Sequence, residues 1–352
     1  MFSTYHFLSL AAVALSLLPT AIAAPTELVK RTARESTPSG CLTVRGSGTK
    51  SGEYSTVGAA LTALGTSSAA AACIFIYTGT YTEQITINYK GALTLYGYTT
   101  KYVFPKSHCR MFTDHLSSTG NYKGNVVAIT HSINSATAGS LDASSTVNIV
   151  SSSFRAYNIN FKNTYGAGAQ AVAVTANGDE QGYYGCGFYG YQDTLYAKSG
   201  RQYYSNCYIE GADDYIFGDA AAWFGECTIA SNGGGSITAN SRATSTDTTW
   251  YVFDHSTIEA ASGYSLVGDV YLGRPWRVLA RVIYQNCALS NIINAQGWTT
   301  LAADATPIFE EYNNSGDGSS TSSRLYETTA IAAVSKDTLW GSGWKDWTDT
   351  TY

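Results

Sequence analysis

The chain has 352 residues, 44% of them hydrophobic and 13% charged, which is enough to bury a substantial core and excludes a peptide hormone or a disulfide-stapled miniprotein. Its 27 Tyr, 12 Phe and 7 Trp are more aromatic surface than a disordered chain leaves in water. With 21 basic residues against 26 carboxylates and a net charge of −5, there is no electrostatic footprint for a nucleic-acid partner.

The first element in chain order is an apolar run from Phe7 to Leu18 that ends in the small-residue pattern Ala21-Ile22-Ala23. It reads as a signal peptide over residues 1–23, although its first residues carry no Lys or Arg. The run is too short for a membrane anchor, and no later stretch approaches the roughly 20 apolar residues a span requires. The dibasic pair Lys30-Arg31 marks a processing site, which leaves a short propeptide over 24–31 and a single secreted domain over 32–352. Residues Ala59 to Ala72 form the one helical stretch, expected to cap the exposed end of the domain's stacked strands.

From residue 159 the chain repeats. Ile159-Asn160-Phe161 aligns with Cys186-Gly187-Phe188, Cys207-Tyr208-Ile209, Cys227-Thr228-Ile229, Ser256-Thr257-Ile258 and Cys287-Ala288-Leu289, with starts 27, 21, 20, 29 and 31 residues apart. Each triplet has the alternation of a strand with one buried face. Aromatic pairs precede several of them (Tyr183-Tyr184, Tyr203-Tyr204, Trp223-Phe224), and Asn206 and Asn286 stand just before a cysteine. Abundant glycine (34) and scarce proline (6) suit short strands and turns. Repeats of this length without a helical segment predict an all-β solenoid, specifically a right-handed parallel β-helix, in which equivalent residues stack about 4.8 Å apart. The segment Asn313 to Ser323, rich in Gly, Ser and Thr, reads as a loop. No composition break suggests a second domain, and a monomer is the default expectation.

Seven cysteines are present: Cys41, Cys73, Cys109, Cys186, Cys207, Cys227 and Cys287. None has zinc-ligand spacing, so no metal is expected. The odd number requires one to be free or bonded to another chain. Cys186, Cys207 and Cys227 form an interior ladder in this register. One stacked pair, Cys186–Cys207 or Cys207–Cys227, could form a disulfide; the alternative is that all are small buried residues. Asn313 heads the sequon Asn313-Asn314-Ser315.

On the same frame, Asp193 lies seven residues after Cys186 and Asp214 seven after Cys207, so the two are 21 apart, one repeat. They are expected to stack on one face of neighbouring coils. Carboxylates that close do not both ionise cheaply; one keeps its proton and the other stays anionic, which supplies an acid together with a base or nucleophile. Gln192 adjoins Asp193, and Gln170 lies 22 residues earlier, about one coil away, so their amide N–H groups are candidates for stabilising a developing oxyanion. Arg274, in Leu272-Gly273-Arg274-Pro275-Trp276, is suited to hold an aspartate anionic, and Trp276 offers a flat apolar face for a sugar ring. The alternative for Trp276 is a packed core or cap residue. The histidines fall in no motif, and there is no GxSxG elbow, P-loop or dinucleotide fingerprint. Asp213-Asp214 hints at calcium, but no other carboxylates cluster near it in the sequence.

Taken in order, Gly79-Thr80-Tyr81-Thr82-Glu83, Gln170-Ala171-Val172-Ala173-Val174, Gln192-Asp193-Thr194-Leu195, Asp214-Tyr215-Ile216-Phe217-Gly218 and Leu272-Gly273-Arg274-Pro275-Trp276 resemble the five signature segments of the pectin methylesterases, in a fungal-type secreted form. Val174 and Tyr215 stand where the family often has Leu and Phe, mild departures that keep apolar or aromatic character. The resemblance implies hydrolysis of C6 methyl esters in pectin, with Asp214 as nucleophile and Asp193 as general acid and then base. It further implies that Gln192 and Gln170 hold the oxyanion, that Arg274 orients Asp214, and that Trp276 and Trp298 line the sugar cleft. Tyr81 and Glu83 are then structural or cleft-shaping, and no cofactor is needed. The rival readings are a β-helical glycoside hydrolase or lyase on the same polymer, which would yield reducing ends or lost viscosity rather than methanol, and a carbohydrate-binding module indifferent to loss of either aspartate.

Overall fold

The structure is a computed structural model and describes residues 34–100 and 121–352. The signal peptide, the Lys30-Arg31 pair and Cys109 lie outside the described residues.

Each coil of the solenoid contributes one strand to each of three parallel sheets, which contain 11, 8 and 7 strands among the described residues. A representative coil runs Gln181–Tyr184, Gly187–Tyr189 and Leu195–Ser199, and the next runs Arg201–Ser205, Tyr208–Gly211 and Ile216–Gly218. These two coils pair in register: Gly187 with Tyr208, Tyr183 with Tyr204, Leu195 with Ile216. The aligned triplets all fall on the second sheet, with Ile159, Cys186, Cys207, Cys227 and Cys287 buried at equivalent positions. The fold is thus the right-handed parallel β-helix that the repeat predicts.

The turn from the first sheet to the second explains the asparagines before the cysteines. A single residue there takes a left-handed conformation: Asn158, Gly185, Asn206, Glu226, His255 and Asn286, with φ between 50° and 57°. Asparagine and glycine adopt this region at low cost. Immediately before the turn, Tyr183, Tyr204, Phe224, Phe253 and Tyr284 form a stack through the interior, with centroids 4.8, 4.7, 4.5 and 4.4 Å apart and planes within 10° of parallel. This parallel stacking follows the spacing of the strands that carry the rings.

One expectation is corrected here and an open one is decided. The helix covers Val57–Leu64, not Ala59 to Ala72. Thr56 Oγ1 accepts the Ala59 N–H, and the Glu83 carboxylate accepts the N–H groups of Val57 and Gly58 at 2.8 Å each. At its other end Gly65, at φ 68°, donates to the Leu61 and Thr62 carbonyls and terminates it. Downstream, Ala72–Ile76 pairs with Leu42–Val44 on one side and Leu93–Gly97 on the other, so the last residue of the alanine run belongs to a strand and the residues between it and Gly65 to neither element. The second concerns cysteine: of the two alternatives for the interior ladder, the structure takes that of small buried residues. The disulfide joins Cys41 to Cys73, which extend the register of those same two strands, whereas Cys186, Cys207, Cys227 and Cys287 are buried free thiols. Each interior sulfur faces main-chain carbonyls, as Cys207 faces those of Tyr183 and Ser205 at 3.4 Å, so the ladder positions select a small apolar side chain with a weak donor.

The end of the chain, unperiodic in sequence, packs over the outer face of the first sheet. Trp340 and Trp347 join Tyr184, Tyr203 and Trp223 in a second apolar cluster, and Lys336 Nζ lies 4.5 Å from the Tyr203 ring centroid and 5.0 Å from that of Trp344.

This packing has two measurable consequences. Phe224→Ala opens the middle of the interior stack and is expected to lower unfolding free energy by about 3–5 kcal/mol, measured by denaturant titration. The four interior thiols should resist alkylation in the native protein and label fully on unfolding; mass-spectrometric mapping of native labelling to Cys207 would contradict the packing.

Candidate active site

The turn from the second sheet to the third is where the aspartates sit. Asp193 (φ 63°) and Asp214 (φ 48°) both occupy the left-handed region, a conformation that a short polar side chain tolerates but that is strained by roughly 1 kcal/mol or more. The inter-coil ladder continues through the turns. The Asp193 N–H donates to the Asp213 carbonyl at 3.2 Å and the Asp214 N–H to the Ser236 carbonyl at 2.7 Å, and Gln192 is in register with Asp213. The two aspartates are therefore equivalent residues of adjacent coils, as their spacing predicts.

Their environments differ. Asp193 is 2% exposed, and its Oδ1 has no hydrogen-bond partner among the described residues. Burial, with the charges of Asp214 and Asp213, pushes its pKa up to about 8, against the opposing influence of Arg274 and a hydrogen bond with Gln170. Asp214 is gripped at both oxygens. Arg274 Nε donates to Oδ1 and Nη2 to Oδ2, each at 2.8 Å, the fork geometry that favours the anion. Burial still raises the Asp214 pKa, and the Arg274 hydrogen bonds act against it. The site thus sets a carboxyl group whose proton affinity is raised by burial beside one that a guanidinium grips at both oxygens.

Arg274 arrives from the strand Val270–Pro275, two coils beyond Asp214. Its neighbour Gly273 is required by crowding: a Cβ there would lie 2.0 Å from Thr238 Oγ1 and 3.2 Å from Trp298. On the outer face of the third sheet, Tyr196 and Phe217 stack at 4.4 Å, each three residues after its aspartate. Trp276, partly exposed, closes on them at 6.3 and 5.9 Å. Val172 and Ala239 complete this apolar wall.

The expected residues therefore separate. Gln170, Asp193, Asp214 and Arg274 converge; Gln192 adjoins them in the chain; Trp276 stands on the same face. Trp298 does not line a cleft. It is fully buried, stacked on Phe309 at 4.3 Å, and its Nε1–H donates to Glu311 at 3.2 Å. The ring that the family resemblance assigns to the sugar cleft is instead a plug near the end of the aromatic stack. Tyr81 and Glu83 are structural: Tyr81 is buried and its hydroxyl donates to the Tyr77 carbonyl, while Glu83 holds the start of helix Val57–Leu64. Sequence reasoning missed Tyr196 and Phe217 as a pair, although they repeat at the same 21-residue interval as the aspartates. It also missed Asp213, whose Oδ2 accepts from Arg274 Nη2 at 2.8 Å.

The Pectinesterase family model matches residues 43–340. The chain is 60% identical over 337 residues to pectinesterase A of Emericella nidulans, covering 96% of this chain and 97% of that protein. The chain belongs to the pectinesterase family. It also superposes on the crystal structure of pectin methylesterase from Aspergillus niger, 61% identical, with a TM-score of 0.84 over 91% of this chain and 100% of that one. The carrot pectin methylesterase is 30% identical, with a TM-score of 0.72 over 85% and 91% of the two chains. The protein is thus a carboxylic ester hydrolase of pectin. No helix of the described residues is long and apolar enough to cross a membrane.

The raised proton affinity of Asp193 makes this pectinesterase's stability depend on pH. Between about pH 4, where an unfolded aspartate ionises, and about pH 8, the folded protein holds a proton that the unfolded chain has lost. The Asp193 contribution is complete below that window and declines by about 1.4 kcal/mol per pH unit as pH rises through it. Asp193→Asn is accordingly expected to match the parent near pH 4 and to exceed it increasingly toward pH 8, measured by urea unfolding at several pH values.

Proposed function

We propose that this pectinesterase removes the C6 methyl esters of galacturonosyl units by a two-aspartate acyl-enzyme route. A carboxylate oxygen of Asp214 attacks the ester carbonyl carbon, and the carbonyl electron pair moves to oxygen. Amide N–H groups of Gln192 and Gln170 stabilise that tetrahedral oxyanion. As it collapses, the bond to the methoxy oxygen breaks, Asp193 delivers its proton, and methanol leaves, with an acyl anhydride remaining on Asp214. Asp193, now ionised, takes a proton from water, whose oxygen attacks the acyl carbon. Cleavage of the anhydride returns Asp214 as carboxylate and Asp193 as acid, and the product leaves as the uronic acid, which ionises and releases its proton to solvent. Arg274 keeps Asp214 ionised and aimed, and Trp276, with Tyr196 and Phe217, offers apolar surface to the sugar ring. The leader over 1–23 supports secretion, where the polymer substrate is found outside the cell.

The observation that carries this reading is the unequal treatment of two equivalent aspartates: Asp193 buried, with its pKa raised to about 8, and Asp214 bidentate to arginine. A retaining glycosidase also needs two neighbouring carboxyl groups, so the products decide. Methylated pectin should release methanol and acidify the medium without gaining reducing ends. Asp193→Asn and Asp214→Asn should each lose about 10³-fold or more in kcat while keeping the native circular dichroism spectrum, and Gln192→Ala about 10²-fold. New reducing ends without methanol would refute the esterase chemistry. Full turnover in either aspartate variant would refute the assigned roles.

A further inference from the structure

The candidate site contains three carboxylates, and the third is built in as firmly as the other two. Asp213 and Asp214 are consecutive, and in an extended strand their side chains would face opposite sides of the sheet. The left-handed turn at Asp214 (φ 48°) breaks that alternation, and both carboxylates reach the same guanidinium. Arg274 Nη2 is 2.8 Å from Asp213 Oδ2 and 2.8 Å from Asp214 Oδ2, while Nε binds Asp214 Oδ1. The other Asp213 oxygen accepts the Ser236 N–H at 2.9 Å. Room for this is made by Gly235, where a Cβ would lie 2.8 Å from Asp213 Oδ1 and 2.9 Å from its Cβ.

The charged groups facing Asp213 are few. Arg274 comes from the strand Val270–Pro275, Asp214 from the same turn and Asp193 from the preceding coil. The following coil presents Gly235 and Ser236, and beyond them Asp269 accepts the Gly235 N–H with its main-chain carbonyl at 3.3 Å.

We propose that Asp213 is a positioning residue of this pectinesterase: by sharing Arg274 with Asp214 it fixes the guanidinium from a second side and leaves the nucleophile oriented but incompletely neutralised, and so sets the pH window of the reaction. This rests on the two-aspartate reading. An arginine given wholly to Asp214 would hold it ionised to lower pH and draw electron density from the attacking oxygen. The extra negative charge also favours the proton on Asp193, which extends the range over which the acid is in its working form. Both influences have one sign: Asp213 moves the acid limb, where Asp214 ionises, and the basic limb, where Asp193 loses its proton, toward higher pH.

The test is the pH profile of kcat for methanol release from methylated pectin between pH 4 and 10. Asp213→Asn keeps an acceptor for the Ser236 N–H and removes the charge. Both limbs are expected to shift down by about one pH unit, with a severalfold lower kcat at the parent's optimum. Asp213→Glu keeps the charge and should leave the limbs near their original positions. A profile for Asp213→Asn with unmoved limbs, whether the rate is unchanged or uniformly scaled, overturns the proposal, because a merely structural role lowers rate without moving a limb. If Asp213→Asn fails to fold by circular dichroism, Asp213→Ser takes its place with the same expectation. Failure of the two-aspartate reading shows elsewhere, as turnover surviving in Asp193→Asn or Asp214→Asn.

Discussion

In-register parallel stacking of coils is the constraint on which everything else depends. Each strand hydrogen-bonds to its equivalents one coil before and one coil after, so a residue's chemistry is repeated or contrasted at a fixed interval set by strand spacing. The interior uses this for near-uniformity: one column of small or apolar residues, four of them cysteines, and one of aromatic rings. The outer face of the third sheet uses it for contrast. There the same turn position carries Asp193 on one coil and Asp214 on the next, and what differs is what surrounds them.

That difference is electrostatic and comes from burial combined with a single cation. Two carboxylates stacked in a dry site repel each other and are poorly solvated, and both effects favour protonation. Arg274 breaks the symmetry by giving its fork to Asp214, while burial raises the proton affinity of Asp193. A strand two coils away thus decides which of two sequence-equivalent aspartates an arginine grips. Asp213 belongs to the same arrangement, held by Arg274 on one oxygen and the Ser236 N–H on the other.

The supporting structure keeps this geometry rigid. Glycines stand where backbone or side chains come too close for a Cβ, at Gly273 beside Thr238 and at Gly235 beside Asp213. Trp298 fills the interior beyond Tyr284, and the tryptophans of the chain end cover the outer face of the first sheet, so neither region draws on the residues of the site.

The sequence alone determined the class of fold, the register of the central coils and the placement of Asp193 and Asp214 on neighbouring turns, because a period of strands is a one-dimensional signal. It also located Arg274, Gln170, Gln192 and Trp276 within short motifs. It misjudged the helix near residue 60, because strand pairing across 30 residues is invisible to local propensity. It left open whether the interior cysteine ladder holds a disulfide, and it did not single out Cys41 and Cys73, since both ladders bring cysteines into register. The resemblance assigned Trp298 to the sugar cleft, whereas the ring is buried, because the direction of a side chain is not written in a short motif. Tertiary structure decided which carboxylate keeps its proton, that a third one shares the arginine, and which rings face solvent. Those properties arise from burial and from contacts between residues some sixty positions apart, and neither is encoded in any local stretch of chain.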